Sequence, residues 1–128
     1  MTWRVKTSLP IEFEINKVPD ALDFWVIPGQ RRIAIVDQIV YNLYKERIPK
    51  GVELFIIEST EAEKHWANAE RVLAFFEEKN VLRRSEPIIA IGGGVLLDLV
   101  GFCCSIYRRG IPYVRIPTTL LAIVDASV

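Results

Sequence analysis

Three consecutive glycines, Gly92, Gly93 and Gly94, follow an apolar run and precede a stretch with helical character that carries one acid, Asp98. Glycine in the first turn of a helix costs up to ~1 kcal/mol per residue relative to alanine, so something must offset it. One reading is a phosphate cradle: without side chains a ligand approaches the backbone, and the free N–H groups and helix dipole favour an anion. The other is a tight turn with close helix–strand packing. The spacing Gly-Gly-Gly-x-x-x-Asp is neither Gly-x-Gly-x-x-Gly nor a phosphate loop, since no Gly-Lys-Ser/Thr follows. Asp98 stands among Val95, Leu96, Leu97, Leu99 and Val100. It belongs either to a solvated helix face or to a cleft, as a hydrogen-bond acceptor.

A second group follows in Ile116-Pro117-Thr118-Thr119-Leu120, where two hydroxyls and two backbone N–H groups can cap a helix and grip a nucleotide. Asp125 lies two turns further on among apolar neighbours, and Asp37 ends a β-branched run, where an acid can meet a ribose hydroxyl. Arg108 and Arg109 either complement a helix C-terminus, at ~0.3–1 kcal/mol each, or grip a phosphorylated substrate through a planar fork. Arg115 falls mid-strand, where a buried charge needs a partner. The single histidine, His65, reads as a surface residue, and the adjacent Cys103 and Cys104 read as buried thiols without metal spacing.

The elements that must position these residues alternate. Residues 1–30 open with two short alternating runs, either antiparallel strands or an extended arm, followed by a proline-rich loop in which Phe24, Trp25 and Ile27 are expected to pack. Four strands are predicted at 31–37, 52–58, 87–92 and 112–117, with helical stretches after each. The helix around residues 59–80 shows a capping box at Thr60 and Glu63 and an apolar stripe of Ala62, Trp66, Ala69, Leu73 and Phe76, with Asn80 as its stop. The helix after the glycines ends at Gly110. Strand–helix alternation predicts an α/β fold, a Rossmann-like doubly wound parallel sheet with right-handed crossovers. Val128 falls inside an apolar helical pattern without a cap, so the expectation is one domain of a longer protein.

Composition narrows the function. The 128 residues carry 16 basic and 16 acidic side chains, for a net charge of zero, with 51% hydrophobic and 25% charged residues. That is a globular domain with no basic face for nucleic acid and no apolar stretch long enough to span a membrane. Two thiols outside any disulfide spacing and the lack of a signal-peptide pattern point to the cytoplasm.

The run from Ala90 to Val128 resembles the signature of the sugar phosphate cyclases, the dehydroquinate synthase superfamily. Gly-Gly-Gly-x-x-x-Asp, then Tyr107-Arg108-Arg109-Gly110, then Pro117-Thr118-Thr119-Leu120-Leu121, then Val124-Asp125-Ala126-Ser127 stand in the family's order and spacing. The resemblance implies an N-terminal NAD-binding domain over residues 1–128, with 1–30 as strands or an arm and 31–128 as the parallel α/β core. It puts Gly93, Gly94 and Val95 on the NAD pyrophosphate, Asp98 at the nicotinamide end, and Thr118, Thr119 and Leu121 along the dinucleotide. Glu61 and Lys64 match the family's Glu-x-x-Lys on the adenosine ribose, where Asp37 also serves, although Asp37-Gln38-Ile39 departs from the usual Asp-x-Asn. Arg109 matches an arginine that reaches a substrate phosphate, across a dimer interface, and Asp125 a substrate-binding carboxylate.

The family is a class of carbon–oxygen lyases. Its reaction is transient oxidation by bound NAD, phosphate elimination, reduction and aldol cyclisation, with a divalent zinc or cobalt ion. The metal ligands and a catalytic lysine belong to a C-terminal helical domain outside this sequence. Tyr107–Asp125 resembles the sedoheptulose 7-phosphate cyclases, 2-epi-5-epi-valiolone synthases among them, more than dehydroquinate synthase proper. Dehydroquinate synthase itself, metal-dependent polyol dehydrogenases and a non-catalytic truncated module are the alternatives.

Overall fold

The computed structural model describes residues 2–6, 12–16, 31–60, 65–82 and 86–126. Phe24, Trp25 and Ile27, and the site candidates Glu61 and Lys64, lie outside the described residues. The two opening runs form an antiparallel pair, β1 (Thr2–Lys6) and β2 (Glu12–Asn16), with Thr2 opposite Asn16.

The four predicted strands form one parallel sheet: β3 (Ile33–Asp37), β4 (Glu53–Ile57), β5 (Ile88–Gly92) and β6 (Tyr113–Pro117), in the order β4-β3-β5-β6. β3 and β5 are the central strands and are buried along their whole length. This is why their sequences read as unbroken apolar runs rather than alternating ones. Their side chains divide between two cores. Ile33, Ile35, Ile88 and Ala90 join Ala69, Val72, Phe75 and Phe76 of α2 (Trp66–Glu78) and Leu96, Leu97, Val100 and Cys104 of α3 (Gly94–Ile106). Ala34, Val36, Ile89 and Ile91 join Ile116 on the other face, where Val40 and Tyr41 of α1 (Gln38–Tyr44) pack.

The chain moves one way across the sheet from β3 to β4, with α1 on one face, and the other way from β4 to β5 and β6, with α2 and α3 on the opposite face. Reversing both direction and face keeps one hand for all three crossovers, as the right-handed rule for parallel units requires. The reversal also creates a switch point between β3 and β5.

Three expectations need correction. The stripe predicted for α2 included Trp66, but Trp66 is 59% exposed. The buried face is Asn68, Ala69, Val72, Phe75 and Phe76, and Leu73 is only partly buried. Val72 and Phe75 sit one position beside the expected Leu73 and Phe76, and two neighbouring stripes of one helix cannot be told apart until the sheet beneath them is known. The described helix begins at Trp66 with His65 as an N-cap that makes no side-chain capping bond, later than a box at Thr60 and Glu63 predicts; Glu63, and Ala62 of the stripe, lie outside the described residues. Arg115 is exposed rather than buried, because β6 is an edge strand among the described residues. Its Nε donates to the Tyr113 hydroxyl at 2.6 Å, and its guanidinium lies 4.9 Å from that ring centroid.

The cysteines are as expected. Cys103 and Cys104 are buried free thiols, and burial pushes them up to about 11 and about 12, out of the reactive range. Asn80 ends α2 in a left-handed conformation (φ 47°), and Gly110 follows α3 at φ 99°.

Candidate functional site

In an open α/β sheet the crevice for ligands lies at the carboxyl ends of the strands, where the strand order reverses. Here that place is between the ends of β3 and β5, at Asp37 and Gly92. A Cβ on Gly92 would lie 3.1 Å from Leu96 Cβ and 3.3 Å from Asp37 Cβ. Gly92 therefore sits where a Cβ would crowd its neighbours, which favours the second of the two readings of the glycine run at this position.

Gly93 is different. It is the N-cap of α3 with extended backbone (φ −80°, ψ −176°), a conformation open to any residue. A Cβ there would meet only Thr119, at 3.4 Å, which is ordinary van der Waals contact. Neither Gly93 nor Gly94 has a positive φ. The protein's own packing and backbone thus do not demand glycine at 93. No side chain caps α3 and its first turn holds no acid, so its leading N–H groups and positive dipole end face the crevice. This is a cradle that a Cβ would fill, and it fits a phosphate or pyrophosphate.

The third wall comes from the turn after β6. Thr118 N–H donates to the Gly92 carbonyl at 2.9 Å, which ties the two strand ends together. The Thr119 hydroxyl accepts from Ala122 N–H at 3.2 Å, so it caps the following turn while its side chain stands beside Gly93. Both threonines are exposed to the crevice side, and Leu121 beyond them is 74% exposed. Val95, one residue into α3, is half-buried.

Asp37 is held firmly. Its Oδ1 accepts from Ile39 N–H at 2.8 Å and from Val40 N–H at 3.4 Å, capping α1, and its Oδ2 accepts from the Ser59 hydroxyl. Ser59 was not singled out from the sequence. Its signal was its position just past β4, at a third carboxyl strand end.

Asp37, Gly92, Gly93, Gly94, Val95, Thr118 and Thr119 are therefore brought together. Three candidates are not. Asp98 is exposed on the α2 side of α3, where it lines a groove of about 360 Å³ with His65, Trp66 and Phe102. Asp125 is exposed on a π-helical turn, Ala122–Ala126, beyond the threonines. Arg109 lies past the far end of α3, whose 13 residues span roughly 20 Å at 1.5 Å per residue. It sits at the amino end of the sheet, opposite the crevice. Among the described residues no three His, Cys, Asp or Glu side chains stand together as a metal site, and no helix is long and apolar enough to cross a membrane.

Residues 54–128 match the family model described as 3-dehydroquinate synthase N-terminal, and the chain belongs to that family. It is 43% identical over 109 residues to a 2-epi-5-epi-valiolone synthase of Streptomyces albus, covering 79% of this chain and 27% of that protein. It is 45% identical over 105 residues to a demethyl-4-deoxygadusol synthase of Trichormus variabilis, covering 77% and 25%. Its fold superposes with a TM-score of 0.82 on 2-epi-5-epi-valiolone synthase from Streptomyces hygroscopicus subsp. jinggangensis 5008, solved with NAD+ and Zn2+ bound, at 34% identity over 97% of this chain and 37% of that one. The chain thus spans about a quarter to two fifths of the length of these proteins.

Proposed function

We propose that this chain is the NAD-binding part of a sugar phosphate cyclase that converts sedoheptulose 7-phosphate to 2-epi-5-epi-valiolone or a related cyclitol. The observation that carries the reading is Gly93, a glycine that neither backbone nor packing requires, at the uncapped N-terminus of α3 and at the switch point of the sheet. A dinucleotide pyrophosphate accounts for it. The 34% identity to a solved cyclase that holds NAD+ supports the same cofactor here.

On this reading residues 1–128 form the cofactor domain, with 1–30 as its strands or arm and 31–128 as its core, and the protein works in the cytoplasm. Gly93, Gly94 and Val95 offer backbone N–H groups to the pyrophosphate. Thr118, Thr119 and Leu121 border the dinucleotide. Asp37, Glu61 and Lys64 serve its adenosine ribose and Asp98 its nicotinamide end. Asp37 is pre-set for this by its cap and by Ser59, which fix its carboxylate without further reorganisation. Bound NAD would supply a transient hydride acceptor, returned before product leaves, so no net NADH forms.

Asp125 would contact the substrate. Arg109 lies at the opposite end of the sheet from its own crevice, so as a ligand for the substrate phosphate it would serve the crevice of a second copy, in a homodimer. The divalent ion of the family does not fit any described cluster in this chain, and on this reading its ligands belong to a further domain.

Calorimetry of NAD+ binding to this chain, with phosphate release and NADH absorbance read together after sedoheptulose 7-phosphate is given to the protein that also carries the metal-binding domain, tests the proposal. Saturable NAD+ binding and phosphate release without lasting NADH are expected. Net NADH would instead indicate a polyol dehydrogenase, and absence of NAD+ binding a non-catalytic module.

A further inference from the structure

Arg31 and Arg32 are adjacent, enter β3 together and meet opposite fates. Arg31 faces the α2–α3 side. Its Nε and Nη2 donate to Glu53 at 3.1 and 3.0 Å, its Nη1 to Glu86 at 3.3 Å, and its Nη2 also to the Lys79 carbonyl. Strand alternation sends Arg32 to the other face, in line with Ala34 and Val36. Its backbone is fixed there, because its carbonyl accepts from Glu53 N–H at 2.9 Å.

Arg32 is only 7% exposed, and its Nε and Nη2 find no hydrogen-bond partner among the described residues. A buried guanidinium left unpaired is strongly destabilising. The two unpaired atoms are not random: Nε and Nη2 form one edge of the guanidinium, the side-on fork that matches two oxygens of a single oxyanion. We propose that Arg32 is a receptor for one carboxylate side chain, gripped bidentately by Nε and Nη2, at the amino end of the sheet on its α1 face.

The site takes a carboxylate because one buried positive charge balances one negative charge, and the two oxygens of a carboxylate match the Nε–Nη2 edge. Glu53 and Glu86 are already committed to Arg31. The site is also separate from the crevice. Asp37 lies at the other end of β3, whose five residues span roughly 17 Å. The carboxylate is therefore a structural partner that clamps a protein segment onto this face, rather than a substrate group.

Side-chain ¹⁵N–¹H spectra of the full chain, with thermal denaturation of Arg32→Met and Arg32→Lys, test this. The expected result is an Arg32 Nε–H that is protected from exchange and correlates with an Asp or Glu carboxyl carbon. Arg32→Met is expected to melt at least about 5 °C lower, with partial recovery in Arg32→Lys. Mixing labelled and unlabelled protein distinguishes a carboxylate of a second copy from one of the same polypeptide, and a titration with ¹³C-acetate detects a free carboxylate in the fork. Fast exchange at Nε–H, with Arg32→Met melting at or above the parent temperature, overturns the proposal, because that is how removal of an unpaired buried charge behaves. The spectra decide even where a variant does not fold.

Discussion

The two ends of the sheet are built on opposite principles. At the amino end, Arg32 apart, the fold supplies its own partners for its arginines: Arg31 joins Glu53 and Glu86, and Arg108 donates to Asn80 at 3.0 Å while lying over the Tyr107 ring. Backbone strain is stored there too, in Asn80, Arg108 and Arg109, all at positive φ. At the carboxyl end, the first turn of α3 carries no cap and no charge, and two strand ends are held together by a backbone bond from Thr118 to Gly92. The amino end closes the fold. The carboxyl end leaves donors available and keeps side chains out of their way, which is what a site for an external anion needs.

That contrast predicts where mutations hurt. The largest loss of stability is expected from Phe76→Ala, since Phe76 is fully buried beneath Tyr107 with ring centroids 5.3 Å apart. Denaturant unfolding should show a cost of about 3–5 kcal/mol, whereas truncating Leu121 in the crevice wall should cost under ~0.5 kcal/mol.

The ion pair at the amino end is expected to matter less. The Arg31 hydrogen bond holds the Glu53 carboxyl below its ordinary value of 4.5. A depressed folded-state value contributes stability that is present above pH 4.5 and is lost as pH falls through the folded value. Glu53→Gln should therefore lower stability at pH 7 and flatten the acid limb of a pH–stability curve. Both partners are about one-third exposed, so the effect should stay under ~1 kcal/mol and shrink in salt.

Smallest, and of opposite sign, is Arg109→Gly. Arg109 sits at φ 64°, and relieving that conformation should raise stability by up to ~1 kcal/mol. NAD+ affinity, measured by calorimetry, should not change, because Arg109 is a helix length away from the crevice. Turnover of a phosphorylated sugar by the protein that also carries the metal-binding domain should fall.

The sequence made the central strands plain, because Ile33–Asp37 and Ile88–Gly92 are uninterrupted apolar runs buried on both faces. Spacing alone leaves the glycine run open between a cradle and a tight turn; it is the family resemblance that joins Gly93, Gly94, Thr118 and Thr119 in one dinucleotide site. Strand order was not readable: that β5 lies beside β3 rather than β4 is a long-range pairing, and the switch point at Asp37 and Gly92 follows from it. For the same reason the exposure of Arg115 on an edge strand and the choice of α2 face at Val72 and Phe75 escaped the pattern. The left-handed turn at Arg108 and Arg109 had no signal either, since arginine is an unusual residue at positive φ; only Gly110 announced the corner. The division of labour within the glycine run is likewise three-dimensional, since Gly92 and Gly93 look equivalent until their neighbours are known.

That division is the central claim, and one paired experiment tests it most directly: melting temperature and NAD+ affinity, measured on the same preparations of Gly92→Ala and Gly93→Val. A crossed result is predicted. Gly92→Ala should lose about 1–3 kcal/mol of stability from crowding against Leu96 and Asp37, and Gly93→Val should keep the parent stability to within ~1 kcal/mol while losing NAD+ binding. Parent-like NAD+ affinity in a folded Gly93→Val protein would contradict the account.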